Sequence, residues 1–257
     1  MKNTPCPLGI LLDIHGVLLL NKKAQPFAVE FINYLNNNVD IDYRLVTNMA
    51  WKSRQEHFYD LNANSMNVDL EKIFTPVTVA KYILEKQHIN CTEVLDIGSD
   101  GFKEELFNNG FNIVKNNPEL IIIPKLEREE DFEKILNFKN STIPLFSTNM
   151  DLSVPKANSE EMNGAASTFE KLALKDIPII GKPNPLFFKS VIEQSNLRCL
   201  DYLVIGDSIE TDFKGANNAE LDSIILKSSI TGKIKNLTNI YYDLGKFLII
   251  LEKRLNT

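Results

Sequence analysis

An aspartate, Asp13, closes the apolar run Gly9–Leu12 and is followed by Ile14, His15 and Gly16. Three more apolar runs end on polar residues in the same way. Tyr43–Val46 stops at Thr47 and Asn48, Pro178–Ile180 at Gly181 and Lys182, and Leu203–Ile205 at Gly206 and Asp207, with Asp212 five residues later. Taken together these supply a carboxylate able to act as a nucleophile, a hydroxyl, a lysine and two further acids. A carboxylate can attack phosphorus and form an aspartyl-phosphate, which splits one hard displacement into two easier steps. Two acids suit Mg²⁺, a hard cation that takes oxygen ligands and keeps room for water and a phosphate oxygen. Lysine and hydroxyl donors can then neutralise charge on the group in transit. The chemistry that this set of residue types supports is phosphoryl transfer.

For such residues to meet, the four runs must end side by side. Short stretches rich in branched aliphatics alternate with longer helical patterns, which predicts an α/β fold around a parallel sheet. Pro26–Leu35, for instance, puts Phe27, Phe31, Tyr34 and Leu35 at helical spacing. Ligands of open parallel sheets bind beyond the carboxyl ends of the strands, so the polar residues that follow the four runs are expected to converge. Between the second and third runs the alternation starts afresh. Val94–Ile97, Ile113–Val114, Leu120–Ile123 and Pro144–Phe146 read as strands, and Glu127–Asn137 as a helix between them. About a hundred residues suffice for a small α/β domain. The expected organisation is a core made of residues 1–79 and 177–257, with an inserted α/β domain at 80–176.

Composition excludes several classes. With 28 Lys+Arg against 34 Asp+Glu the chain of 257 residues carries a net charge of −6, so no global field draws it to nucleic acid or anionic lipid. Three cysteines, Cys6, Cys91 and Cys199, are an odd number without CxxC spacing. They argue for a reducing cytoplasm and against a disulfide framework or a zinc site. Lys2 followed by Leu8–Leu20 has the outline of a secretory leader, but Asp13 and His15 interrupt its apolar centre. Other apolar stretches, such as Phe247–Leu251, fall far short of the ~20 residues of a membrane span. No GxGxxG or GxxxxGK[ST] follows any strand, which leaves dinucleotide and P-loop chemistry without support.

Four strings in order, LLDIHGVLL at 11–19, VTN at 46–48, GKPNP at 181–185 and VIGDSIETD at 204–212, resemble the motifs of the haloacid dehalogenase superfamily of phosphohydrolases. The likeness continues through GANNAELDSIIL at 215–226 and so spans nearly the whole chain. The insert is similar to the large α/β cap of the 4-nitrophenylphosphatase and N-acetylglucosamine-operon phosphatase subgroup. The resemblance implies a Rossmann-like three-layer core and a capped active site. It makes Asp13 the nucleophile and a Mg²⁺ ligand, joined by the His15 backbone carbonyl and Asp207, with Asp212 orienting metal-bound water or Lys182. It also implies that Thr47 and Asn48 hold the phosphoryl group, that Lys182 compensates its charge, and that Gly16 lets the backbone turn beside the phosphate. Asn149 and Asp151, in the string Ser147–Asp151, resemble the subgroup's substrate-facing loop. The partner implied is a small phosphorylated metabolite, with pairing of two copies through their caps as a further option.

One position departs from the pattern. Two residues after the nucleophile the family usually carries an Asp that acts as acid and base, and here stands His15. A histidine, with an ordinary pKa of ~6.5, can do the same work. The leading expectation is therefore a Mg²⁺-dependent phosphatase with His15 as the replacement acid/base. The alternative is a catalytically weak binding or regulatory protein that keeps the metal and phosphate site. Other residues receive plainer readings. Asp96 in the look-alike string VLDIGSDG is a turn residue, Ser208 either meets metal-bound water or caps a helix, His57 and His88 are surface residues, and Trp51 is packing, with stacking on substrate as the second option. Substrate choice is expected of the loops around Asn149–Pro155 and Asn163–Ala166.

Overall fold

The apolar run that ends on Asp13 lies in the middle of the molecule's main sheet. In the computed structural model, which describes residues 6–138, 140–151, 153–155, 161–195, 198–226, 240–241 and 243–255, it forms β1 (Cys6–Asp13). A small hairpin, β2 (Leu19–Leu20) and β3 (Lys23–Ala24), leads to α1 (Ala28–Asn37), β4 (Ile41–Val46), α2 (Arg54–Asn62) and β5 (Ile73–Phe74). Helix α3 (Pro76–Lys86) opens the middle of the chain, followed by β6 (Glu93–Leu95), α4 (Asp100–Asn108), β7 (Asn112–Val114) and β8 (Ile121–Ile123). Then come α5 (Glu129–Leu136), β9 (Leu145–Ser147), the pair β10 (Ser153–Pro155) and β11 (Glu161–Asn163), and α6 (Ala166–Leu172). The chain returns through α7 (Pro185–Gln194), β12 (Cys199–Gly206), α8 (Lys214–Ala219), β13 (Asp222–Leu226), β14 (Ile240–Tyr241) and α9 (Leu244–Leu255).

Six strands make one parallel sheet in the order β14-β13-β12-β1-β4-β5. Its central strand is apolar on both faces, as a strand covered on both sides must be. Ile10 and Leu12 pack into a cluster with α1 and α9, whereas Leu11 packs into another with α3, α7 and α8. This alternation is the period of two of an extended chain, and it yields three layers, helices over sheet over helices.

Among the described residues, the stretch between β5 and α7 contributes no strand to that sheet. It pairs β6 with β7 and β8 with β9 in parallel, and β10 with β11 in antiparallel. The second apolar cluster nevertheless continues from the core into this stretch through Val94, Phe102, Phe111, Leu120 and Phe146. A third cluster lies wholly within it. The boundary read at residue 80 falls inside α3.

Two expectations need correction. Pro178–Ile180 is not a strand of the central sheet; Ile179 instead bridges to Ser147 at the end of β9, with Ser147 N donating to Pro178 O and Ile180 N to Ser147 O, both at 2.8 Å. The returning chain thus rides on the inserted segment before it reaches the site. Cys199, in register with Cys6 of β1, is disulfide-bonded, and Cys91 is free. The odd count therefore hid a disulfide, because one unpaired cysteine makes a pair plus a remainder look like three thiols. Among the described residues no helix is long and apolar enough to cross a membrane. Lys2 and Leu152 lie outside the described residues.

Candidate active site

Register brings the candidate residues level. Asp13 stands opposite Val46, and Leu12 opposite Ile205, so the residues that follow β4 and β12 flank Asp13 on either side. Gly16 has φ +97°, and a Cβ there would run into the Asp207 carboxylate. A Cβ at Gly206 would likewise run into Asp212. Both glycines therefore allow an approach that any other residue would block. After β12, Ser208 caps a π-helical turn, Ile209–Phe213, accepting from Thr211 N at 3.3 Å. This turn points Asp212 back to the site, where its Oδ2 accepts from Ser208 N at 3.2 Å.

Lys182 comes from the far side of the insertion. Its Nζ is 2.5 Å from Asp13 Oδ1 and 2.7 Å from Asp212 Oδ1, and all three side chains are buried. Asn48 holds the lysine's backbone in place: Lys182 N donates to Asn48 Oδ1 at 2.9 Å, and Asn48 Nδ2 donates to Lys182 O at 3.0 Å. These residues open into a cavity of about 420 Å³, lined by Asp13, His15, Thr47, Lys182, Asp207 and Asp212 on the core side and by Trp51, Met150 and Asp151 towards the insert.

Charge is unbalanced in this cluster. Oxygens of Asp13, Asp207 and Asp212 lie within 4.8 Å of one another, and Lys182 is the ammonium bonded to two of these acids. Three carboxylates against one ammonium leave two negative charges buried, which is costly unless they are compensated. Burial lowers the Lys182 ammonium, but the Asp13 and Asp212 carboxylates outweigh it and hold its pKa above the ordinary lysine range. Burial, with Asp212 and Asp207 beside it, pushes Asp13 well above the usual carboxylate range against the pull of Lys182. A divalent cation with a preference for oxygen fits this donor set in both charge and chemistry.

The structure brings most of the predicted residues together. Thr47 is buried, lines the cavity, and accepts from Met49 N at 3.1 Å through Oγ1. Asn48 lines it too, although its amide is committed to Lys182 and to Asp151 Oδ1 at 3.0 Å. Asp151 reaches the cavity from the insert, its carboxyl raised to about 6 by burial against the opposing pull of Asn48 and Lys182. Asn149 is buried beside these residues and is not among those lining the cavity; its Nδ2 donates to Asn48 O at 2.7 Å and its Oδ1 accepts from Asp151 N at 3.1 Å. It ties the insert's loop to the core. Ser208 caps its turn and also lines the cavity. Trp51 lines the same cavity, with Lys125 Nζ 5.3 Å from its ring centroid.

His88 is exposed, as expected, but His57 is not. It is fully buried on α2, where its Nδ1 is 3.3 Å from His15 Nε2 and its Nε2 is 2.9 Å from Met49 O. Desolvation lowers it to about 4, helped by Lys52 and opposed by the Met49 carbonyl. Desolvation also takes His15 well below the ordinary imidazole value, with His57, Lys52 and Lys182 adding to it. The polar helical pattern of α2 carries no signal for this placement, because the partner is 42 residues away.

A sheet of this order, with acids and a lysine gathered at the carboxyl end of its central strands, defines a Rossmann-like hydrolase core. Two family models match the chain, one described as haloacid dehalogenase-like hydrolase over residues 10–112 and one as HAD-hydrolase-like over 179–240. The chain belongs to the haloacid dehalogenase-like hydrolases, and it is an enzyme of that family. It is 26% identical to an acid sugar phosphatase of Staphylococcus saprophyticus, over 95% of this chain and 97% of the relative. Its fold is similar to that of a 4-nitrophenylphosphatase from Thermotoga maritima, with a TM-score of 0.81, 21% identity, and 94% and 96% of the two chains covered. It also resembles a glycerol phosphate phosphatase of Mycobacterium tuberculosis solved in complex with magnesium, with a TM-score of 0.78, 21% identity, and 92% and 76% coverage.

Proposed function

We propose that this enzyme is a Mg²⁺-dependent phosphatase of small sugar phosphates. The observation that carries the reading is the buried cluster in which Lys182 bridges Asp13 and Asp212 while Asp207 closes on them. The similarity to the acid sugar phosphatase supports the substrate class. In this reading Asp13 attacks phosphorus, the bond to the sugar oxygen breaks, and an aspartyl-phosphate forms. Lys182 balances charge on the phosphoryl oxygens and keeps the Asp13 carboxylate turned to the site. Asp13, Asp207 and the His15 carbonyl would hold Mg²⁺, with Asp212 steadying Lys182 and the turn; the ion would supply positive charge to the phosphoryl group. Thr47 and Asn48 flank the phosphoryl group, and Gly16 leaves room for Asp207 beside it. His15 exchanges protons with water and leaving group. Residues 80–176 act as the cap, and Met150 and Asp151 are its contribution to the cavity.

The test is hydrolysis of a panel of triose, pentose and hexose phosphates by purified protein, with Mg²⁺ or with EDTA. Turnover that needs Mg²⁺ and is lost in Asp13→Asn supports the reading, and full activity in EDTA overturns it. Thermal unfolding adds an independent measure, since an ion that binds only the folded chain raises Tm. A Mg²⁺-dependent rise in Tm without turnover of any phosphate ester would favour the regulatory alternative that His15 motivates.

A further inference from the structure

Two histidines meet beside the cavity, and their bonding fixes where the protons are. His57 Nε2 lies 2.9 Å from the Met49 carbonyl oxygen. A carbonyl oxygen only accepts, so His57 Nε2 carries a proton and donates it. A neutral imidazole protonated at Nε2 has its lone pair on Nδ1. That Nδ1 is the atom 3.3 Å from His15 Nε2, so the contact is a hydrogen bond only if His15 is the donor, protonated at Nε2. In a neutral His15 ring the unprotonated nitrogen is then Nδ1. Among the described residues the His15 ring has no hydrogen-bond partner other than His57.

The frame behind this pair is rigid. The two ring centroids are 5.2 Å apart with 56° between the planes. His57 sits one turn into α2, whose N-terminus is closed by a reciprocal cap, Ser53 Oγ accepting from Glu56 N and Glu56 Oε2 from Ser53 N. Met49 belongs to the loop that follows β4, and His15 to the loop that follows β1. His57 therefore spans two of the loops that build the site.

We propose that His57 is a positioning residue, which holds the His15 ring and fixes its tautomer so that Nδ1 is the nitrogen through which His15 takes a proton. The kinetic consequence rests on the phosphatase reading; the tautomer does not. In the hydrolytic step a water oxygen bonds to phosphorus and the phosphorus–Asp13 bond breaks, its electron pair returning to the carboxylate. One water proton passes to His15 Nδ1, while Nε2–H remains donated to His57. That proton is the one His15 gives from Nδ1 to the leaving sugar oxygen in the next turnover, and its transfer restores the tautomer.

The chain has three histidines, His15, His57 and His88, so the test can be spectroscopic. In metal-free protein labelled with ¹⁵N-histidine, long-range ¹H–¹⁵N correlations at neutral pH should show both His15 and His57 protonated at Nε2. His57→Phe should release His15 into a mixture of tautomers and lower kcat on a sugar phosphate by roughly 10-fold or more, with KM unchanged. In a His15→Ala background the same change should cost nothing further. Wild-type His15 protonated at Nδ1, a tautomer indifferent to His57→Phe, or an equal kcat loss in the His15→Ala background would each overturn the proposal. The wild-type spectrum decides the tautomer even where a His57 variant is unstable. Absence of any phosphatase turnover would remove the hydrolytic reading and leave the spectrum to judge the positioning role.

Discussion

Two loops of this protein begin on nearly the same residues. Leu11-Leu12-Asp13-Ile14 closes β1, and Val94-Leu95-Asp96-Ile97 closes β6. Both then turn on a glycine of positive φ, +97° at Gly16 and +84° at Gly98. Both aspartates also have a lysine, Lys182 for Asp13 at 2.5 Å and Lys103 for Asp96 at 2.6 Å. What differs is the neighbourhood. β1 has parallel strands on both sides, so the loops after β4 and β12 close around Asp13 and bring Thr47 and Asp207. β6 pairs with β7 and bridges to Leu120 through Val94, yet neither neighbour brings Asp96 into the group of carboxylates able to hold a metal found among the described residues. The Asp13 side chain is 6% exposed and its lysine is shared with Asp212, whereas the Asp96 side chain is 17% exposed and its lysine, on the next helix, is near the surface. A strand that ends on Asp-Ile makes a turn; a strand between two others that deliver acids makes a site.

The largest test of this contrast is Asp13→Asn against Asp96→Asn. The first should lower turnover of a sugar phosphate by ~10⁴-fold or more, and the second should leave it at the wild-type level. An equal loss in both would erase the distinction. Next is the shared lysine. Lys182→Met should cost roughly 10²- to 10³-fold in kcat, and removing one partner from this buried group should lower stability by about 3 kcal/mol in metal-free protein. Chemical denaturation with and without Mg²⁺ would measure that. A smaller effect belongs to His15. His15→Ala should slow hydrolysis of a sugar phosphate by about 10²-fold yet spare an aryl phosphate more, since its leaving group needs less help; equal losses on both would count against a proton-transfer role.

The smallest effect should be at Asp96. Its pKa is lowered chiefly by the hydrogen bond from Lys103, so its stabilisation is present above the unfolded value and is lost as pH falls through the lower folded one. Asp96→Asn should therefore reduce stability by about 0.5 kcal/mol near neutral pH, with the gap closing below about pH 4. Urea unfolding of both proteins across that range checks the sign. A gap that widens on acidification would contradict it.

Legibility followed locality. β1 and the carboxyl-terminal halves of β4 and β12 are readable because a doubly covered parallel strand is apolar there, and β6, β8 and β9 of the insert for the same reason; β7, with Asn112 exposed, is readable from its branched aliphatics alone. Pro178–Ile180 misled because a backbone bridge to Ser147 demands the same residue types as a strand of the main sheet. Asn149 resembles a substrate-facing residue in its string, yet its amide meets Asn48 O across 101 residues, a contact that no local pattern records. His57 sits in a helix whose exposed positions are polar, and one buried polar residue among them does not alter the period. The disulfide of Cys199 joins residues that no spacing along the chain marks as partners.

The order of acids, hydroxyl and lysine along the chain is a property of the sequence, and so is the rule that each follows an apolar run. That was enough to specify phosphoryl chemistry, because residue type sets which groups can attack, chelate or neutralise. The fold settled which aspartates share one pocket, which way Lys182 enters it, and which histidine is turned against His15. Those outcomes depend on strand order and on contacts between residues far apart in the chain, and the free energy that selects among them comes from burying the apolar clusters around the sheet.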